Sequence, residues 1–318
     1  MKAPLTHRAG GSIRIPPAFN GVYGLKVTHN RTCTKNSTVC VVGPMASTVD
    51  DMTIAYRLMA QPDPEDPTQA MFSPSTRPDP SAKKYIGIHR EWLKRSTPEV
   101  LKTVQNVIDY LTSKRGYEVV DIQLPYLVEG QLAHVATCLN EGLNDVRSKA
   151  TNGLSMINAP NRLMMAVASQ GRATDYIKYA QLRHVIMAHM AFLYERYPGL
   201  LIVTPTVPVA GWPVHNGDQA YGFTDGNISV LCMTYCWFAN STGLPAVTCP
   251  AGYVDAEQGE GKLPVGIMAA AEWGAEEQLL GFAKDTEAYL NEVYPGGRLR
   301  PAEWADVIEL AKERARKD

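Results

Sequence analysis

The chain has 318 residues, 45% of them hydrophobic and 20% charged, an ordinary globular balance with enough length for a large core. Its 31 basic and 32 acidic residues leave a net charge of −1, which excludes a strong electrostatic footprint for nucleic acid. No apolar run reaches membrane-spanning length, and Met1 to Ala9 is too short and too polar for a signal peptide.

Residues 10 to 26 mix Gly, Pro and apolar positions, which suits a tightly turned buried segment. Thr48-Val49-Asp50-Asp51 predicts a helix start, with Thr48 as cap and Asp51 as reciprocal partner. Ile54, Ala55, Leu58 and Met59 then form its expected apolar face. Residues 61–84 hold six prolines and read as a surface loop. Tyr85 to Ile88 reads as a strand. Thr97-Pro98-Glu99 starts a helix whose apolar face is Val100, Leu101, Val104, Val107, Ile108 and Leu111, and Gly116 ends it. Val120, Ile122 and Leu124 alternate as a strand.

Residues 128–196 read as mostly helical. Leu200 to Thr204 reads as a buried strand and Ile228 to Asn240 as one buried helix. Ala246 to Cys249 and Leu263 to Ala270 read as strands. Ala275 to Leu290 reads as a helix, and Trp304, Val307, Ile308 and Ala311 mark a last amphipathic one. This alternation predicts an α/β fold: a mixed, mainly parallel central sheet covered by helices on both faces.

The six cysteines, Cys33, Cys40, Cys138, Cys232, Cys236 and Cys249, form no C-x-x-C pair, so reduced thiols in a cytoplasmic setting are expected. Cys232 and Cys236 lie in an apolar run and read as core. None of the seven histidines stands in an H-E-x-x-H motif, and no phosphate-binding glycine loop is present. Asp50 and Asp51 suit the first turn of a helix, where the macrodipole favours carboxylates. Ser12, behind Gly10 and Gly11, is a candidate nucleophile: glycine amides can face a developing oxyanion without a Cβ in the way. It does not fit the nucleophile elbow of α/β-hydrolases, because Arg14 stands where that motif wants glycine.

Gly10-Gly11-Ser12-Ile13-Arg14-Ile15-Pro16, followed by Ala18-Phe19-Asn20-Gly21-Val22-Tyr23-Gly24-Leu25-Lys26, resembles the core motif of the amidase signature family. Gly43-Pro44-Met45-Ala46-Ser47-Thr48-Val49-Asp50-Asp51 is similar to its G-P-M-A-x-T-V-x-D segment. Thr204-Pro205-Thr206, Thr242-Gly243-Leu244-Pro245-Ala246 and Leu263-Pro264-Val265-Gly266 resemble later family elements in the same order.

The resemblance implies cleavage of carbon–nitrogen amide bonds through a Ser–Ser–Lys triad and a serine acyl-enzyme. It places the nucleophile at Ser12 and the oxyanion-binding amides at Ala9, Gly10, Gly11 and Ser12. One oriented oxyanion donor is typically worth about 3 kcal/mol. Arg14 becomes a structural residue of the motif, and Ile15, Pro16, Phe19 and Leu25 become packing residues.

The family's Lys and middle Ser lie upstream of its nucleophile. Here eleven residues precede Ser12, and Lys2 is the lysine among them, in a context that does not match. The expectation is one amidase domain over residues 1–318, partial at its N-terminal side, with an atypical stretch at 1–9, exposed core surface and impaired hydrolysis. Two alternatives stand beside it: a catalytically inactive homologue, and the A subunit of a glutamyl-tRNA amidotransferase. The partner implied is a small-molecule amide, with no cofactor, metal, nucleic acid or membrane span, and with a homodimer left open.

Overall fold

The computed structural model describes residues 10–32, 37–70, 79, 81–149, 153–215, 217–218, 225–300, 305 and 307–316. The strands are β1 (Tyr23–Lys26), β2 (Met45–Ala46), β3 (Lys84–Ile88), β4 (Tyr117–Asp121), β5 (Leu200–Pro205), β6 (Ala246–Asp255) and β7 (Lys262–Ala270). They form one sheet in the order β2–β1–β6–β7–β5–β3–β4. The helices are α1 (Ile15–Asn20), α2 (Val49–Met59), α3 (Pro67–Ala70), α4 (Arg90–Leu93), α5 (Pro98–Arg115) and α6 (Leu127–Lys149). They continue with α7 (Ala159–Ala168), α8 (Ala173–Arg196), α9 (Gly226–Cys232), α10 (Cys236–Thr242), α11 (Glu276–Val293) and α12 (Val307–Ala315).

The expected α/β architecture and mixed sheet are present. Parallel pairing is confined to β3–β4 and β3–β5, on the side where α5 and the α6–α8 layer provide long crossovers. The β1–β2, β1–β6, β6–β7 and β5–β7 pairs are antiparallel. The short 256–261 connection makes β6 and β7 a hairpin, which closes only antiparallel.

Strand alternation sorts side chains to two cores. Leu201 and Val203 of β5, Val247 of β6 and Ala269 of β7 point to one face, where α2, α5 and α11 pack. Leu200, Ile202, Ala246, Met268 and Ala270 point to the other, against α8 and α10. Helices thus cover both faces.

α5 forms as its sequence signals require. Pro98 occupies the first turn, Gly116 closes the end at φ 72°, and Val100, Val104, Val107, Ile108 and Leu111 are buried, with Tyr110 beside them. In α2 the Thr48 side chain accepts from the Asp51 amide at 3.1 Å, as expected. Its buried face differs from expectation. Val49, Met52 and Tyr56 face the core, while Ile54 and Leu58 are 60% and 70% exposed. The two stripes compete in the sequence, and the one aligned with β1 and α11 wins.

Three other expectations need correction. The Val120–Leu124 strand ends at Asp121; Ile122 and Leu124 are buried beyond the ladder. The single helix expected over 228–240 is two, α9 and α10. Met233 and Thr234 close α9 by 3₁₀-type bonds, and the Tyr235 hydroxyl then reaches Ser96 Oγ at 2.7 Å. Pro16 is exposed and Pro17 buried in its place; Leu25 is fully buried and Ile15 and Phe19 partly so, as expected. Of the 61–84 loop, residues 71–78 and 80 lie outside the described residues, as does Trp304 of the last helix.

Candidate active site

The Gly10–Arg14 turn leads directly into α1. The Arg14 and Ile15 amides both donate to the Gly11 carbonyl at 2.8 Å. Gly11 sits at φ 123°, and a Cβ there would lie 2.8 Å from Cys236 Cβ. Glycine is therefore required twice over, by backbone conformation and by contact with α10. A Cβ on Gly24 of β1 would drive into the Ile13 carbonyl, so the turn rests on bare backbone. Ser12 is exposed at the apex. The amides of Gly11, Ser12 and Ile13 make no backbone hydrogen bond among the described residues, which leaves N–H donors free for an anionic ligand atom. Ala9 lies outside the described residues.

Arg14 fastens this turn to the rest of the molecule. It is 1% exposed. Its Nη2 donates to the Cys236 carbonyl at 2.9 Å and to Asn240 Oδ1, and its Nη1 reaches Met268 Sδ at 3.4 Å. Burial lowers its pKa from the ordinary value. Its Nε is buried without a hydrogen-bond partner among the described residues. Asn240 uses its other end to donate to the Val39 carbonyl at 2.8 Å. Cys236 Sγ contacts the Thr206 carbonyl at 3.4 Å, and Thr206 Oγ1 meets Thr248 Oγ1 at 2.5 Å.

A second buried cation lies nearby. Lys26 Nζ donates to the Leu244 and Val27 carbonyls at 2.7 and 3.0 Å. Burial first, then the Arg14 charge, pushes its pKa well below the usual lysine range. His29 is pushed down to about 4 by burial and by Lys26. Cys232 and Cys236 are buried in the core, as expected.

The sequence reading brings Ser12, Gly10 and Gly11 together in one turn, and the structure gives Arg14 its structural place. Sequence reasoning missed Asn240 as the partner of Arg14. Asn240 stands two residues before the recognised Thr242-Gly243-Leu244-Pro245-Ala246 segment, and that was the available signal.

Fold and site together define an α/β protein with an exposed serine–glycine turn leading into its first helix. The family model described as Amidase matches residues 8–280, and the chain belongs to that family, the amidase signature family. It is 29% identical to a fatty acid amide hydrolase of Medicago truncatula, over 96% of this chain and 51% of that protein. It is 28% identical to the A subunit of the glutamyl-tRNA(Gln) amidotransferase of Thermus thermophilus, over 85% of this chain and 61% of the relative. The chain thus spans about half the length of the fatty acid amide hydrolases it matches. Among solved structures, the A subunit of the glutamyl-tRNA(Gln) amidotransferase of Thermotoga maritima superposes with a TM-score of 0.73 at 20% identity. That match covers 93% of this chain and 64% of the other. A bacterial aryl acylamidase of the amidase signature family gives 0.69 at 20% identity, over 88% and 60%.

Proposed function

We propose that this chain carries the nucleophile half of an amide hydrolase, with Ser12 attacking the carbonyl carbon of a small-molecule amide. The observation that carries the reading is the turn itself. An exposed serine stands at the apex, unengaged amides flank it, and a buried arginine ties it to α10. Attack forms a bond from Ser12 Oγ to the carbonyl carbon, and negative charge develops on the carbonyl oxygen. The amides of Gly10, Gly11 and Ser12, with that of Ala9, are the proposed donors to that oxygen. Expulsion of the amine leaves an acyl-serine, which water resolves.

The hydroxyl needs a base to lose its proton. No hydrogen bond to the Ser12 hydroxyl is present among the described residues. No helix among the described residues is long and apolar enough to cross a membrane. The thiols at Cys40, Cys138, Cys232, Cys236 and Cys249 are free, which supports a reducing, cytoplasmic setting.

The test is labelling of the full chain with a fluorophosphonate probe, together with turnover of small aryl amides. A label on Ser12 that is lost in Ser12→Ala supports the reading. A folded chain that carries no label on Ser12 overturns it.

A further inference from the structure

We propose that Cys40 and Cys138 are a redox modification site: they close into a reversible disulfide that pins the 37–43 segment onto α6. The segment already docks there. Ser37 Oγ donates to Glu141 Oε2 at 2.6 Å, and the Thr38 amide and hydroxyl donate to Glu141 Oε1 at 3.0 and 2.5 Å. Ser37 Oγ in turn accepts from the Cys40 amide at 2.9 Å. Cys138 precedes Glu141 by three positions on α6, so the two share one helix face. Val39 lines a small cavity with His134 and Thr137, the residues of the same turn of α6. The three residues that precede Cys40 thus dock on the turns of α6 that flank Cys138, and the two thiols lie close enough for a charge on one to oppose ionisation of the other.

The Cys40 thiol is half-buried and reachable by a small reagent, whereas the Cys138 thiol is largely enclosed, so the first attack on the reagent falls to Cys40. Burial raises both thiol pKa values, and each is raised further by Glu141; a charge on Cys40 also opposes ionisation of Cys138. These groups feel one another, and neither is a standing thiolate. His134 Nε2 lies 3.3 Å from Cys138 Sγ and can accept its proton in the tautomer with Nε2 unprotonated.

The oxidant is a low-molecular-weight disulfide such as oxidised glutathione. One protein thiolate attacks it and releases one reduced glutathione, leaving a mixed disulfide. The second protein thiolate then displaces the other glutathione and forms the Cys40–Cys138 bond. Two thiol protons leave in all, and the two electrons reduce the reagent.

The closed bond has a route to the candidate nucleophile. Val39, beside Cys40, accepts from Asn240, and Asn240 accepts from Arg14 in the Ser12 turn. Only this coupling rests on the hydrolase reading; the disulfide itself does not.

The experiment uses the full chain treated with oxidised glutathione, followed by alkylation of the remaining thiols and peptide mass mapping. The expected result is a Cys40–Cys138 linked peptide that dithiothreitol reverses. It should be absent from Cys40→Ser and Cys138→Ser and kept in Cys249→Ser. Recovery of Cys40 and Cys138 as separate alkylated or glutathione-bearing peptides overturns the proposal, and so does preferential linkage of either to Cys33. Amide hydrogen exchange over residues 10–16 reads the coupling: it should be slower in the linked protein, and equal rates in the two forms remove that part. Absence of the fluorophosphonate label on Ser12 from the reduced and the linked protein alike, with the linkage formed, would count against the hydrolase reading alone.

Discussion

Under α2, α5 and α11 the sheet meets an almost unbroken apolar layer, from Leu25 and Val104 to Leu279 and Phe282. One ion pair of that side is buried, Arg31 with Glu276 at 3.7 Å, and others sit at its margin, as in the two-pronged Arg57–Glu277 contact at 2.8 and 2.9 Å. Under α1 and α10 the same strands bury Arg14, Lys26, Asn240, Thr206 and Thr248. A buried cation is costly unless hydrogen-bonded, and here neutral carbonyl and amide oxygens hold both. The contrast teaches a division of labour. One face supplies stability through packing that many residues could provide. The other specifies where a single turn must lie, through donors and acceptors that few residues could replace.

The largest expected effect tests the apolar face. Leu111→Ala should cost about 2–5 kcal/mol in urea unfolding, since a fully buried leucine leaves a cavity. The remaining folded protein should keep the same hydrogen exchange over residues 10–16. If that segment loosens as well, the faces are not independent. Arg14→Met is the counterpart on the site face. It should cost about 2–3 kcal/mol through the stranded acceptors at Cys236 and Asn240, and it should accelerate exchange at residues 10–16 and 38–42.

Acid should weaken the site face next. Folded His29 resists protonation until about pH 4, whereas an unfolded histidine takes its proton near 6.5. Between those values the unfolded chain binds more protons, so stability falls as pH falls. With discount for partial exposure the loss is about 1–2 kcal/mol. Unfolding midpoints should show His29→Gln to be less acid-sensitive than the parent chain. The smallest effect belongs to the rim: Thr48→Ala removes the α2 cap and should cost about 1 kcal/mol by thermal unfolding.

Local chemistry made parts of this molecule legible from the sequence. α5 was readable because Pro98, Gly116 and a clean apolar stripe all agree. The Ser12 turn was readable because two glycines and the later ordered motifs agree. The buried face of α2 was not, since Ile54 and Leu58 are as apolar as Met52 and Tyr56, and only tertiary packing selects between them. The break between α9 and α10 carries no Gly or Pro. It follows from where Tyr235 must reach Ser96 and where Cys236 must meet Gly11. The Arg14–Asn240 contact joins residues 226 positions apart, and no periodicity can report such a pair.

The close approach of Ile13 to Gly24 has a consequence for how this site tolerates change. Because main chain lies directly on main chain there, the height of the Ser12 turn above the sheet is set by two peptide planes, while the Arg14 side chain ties the turn sideways to α10. Core side chains beneath the strand can be exchanged over generations, and rotamers can hop, without moving the serine. A single methyl group added at position 24 would lift it at once.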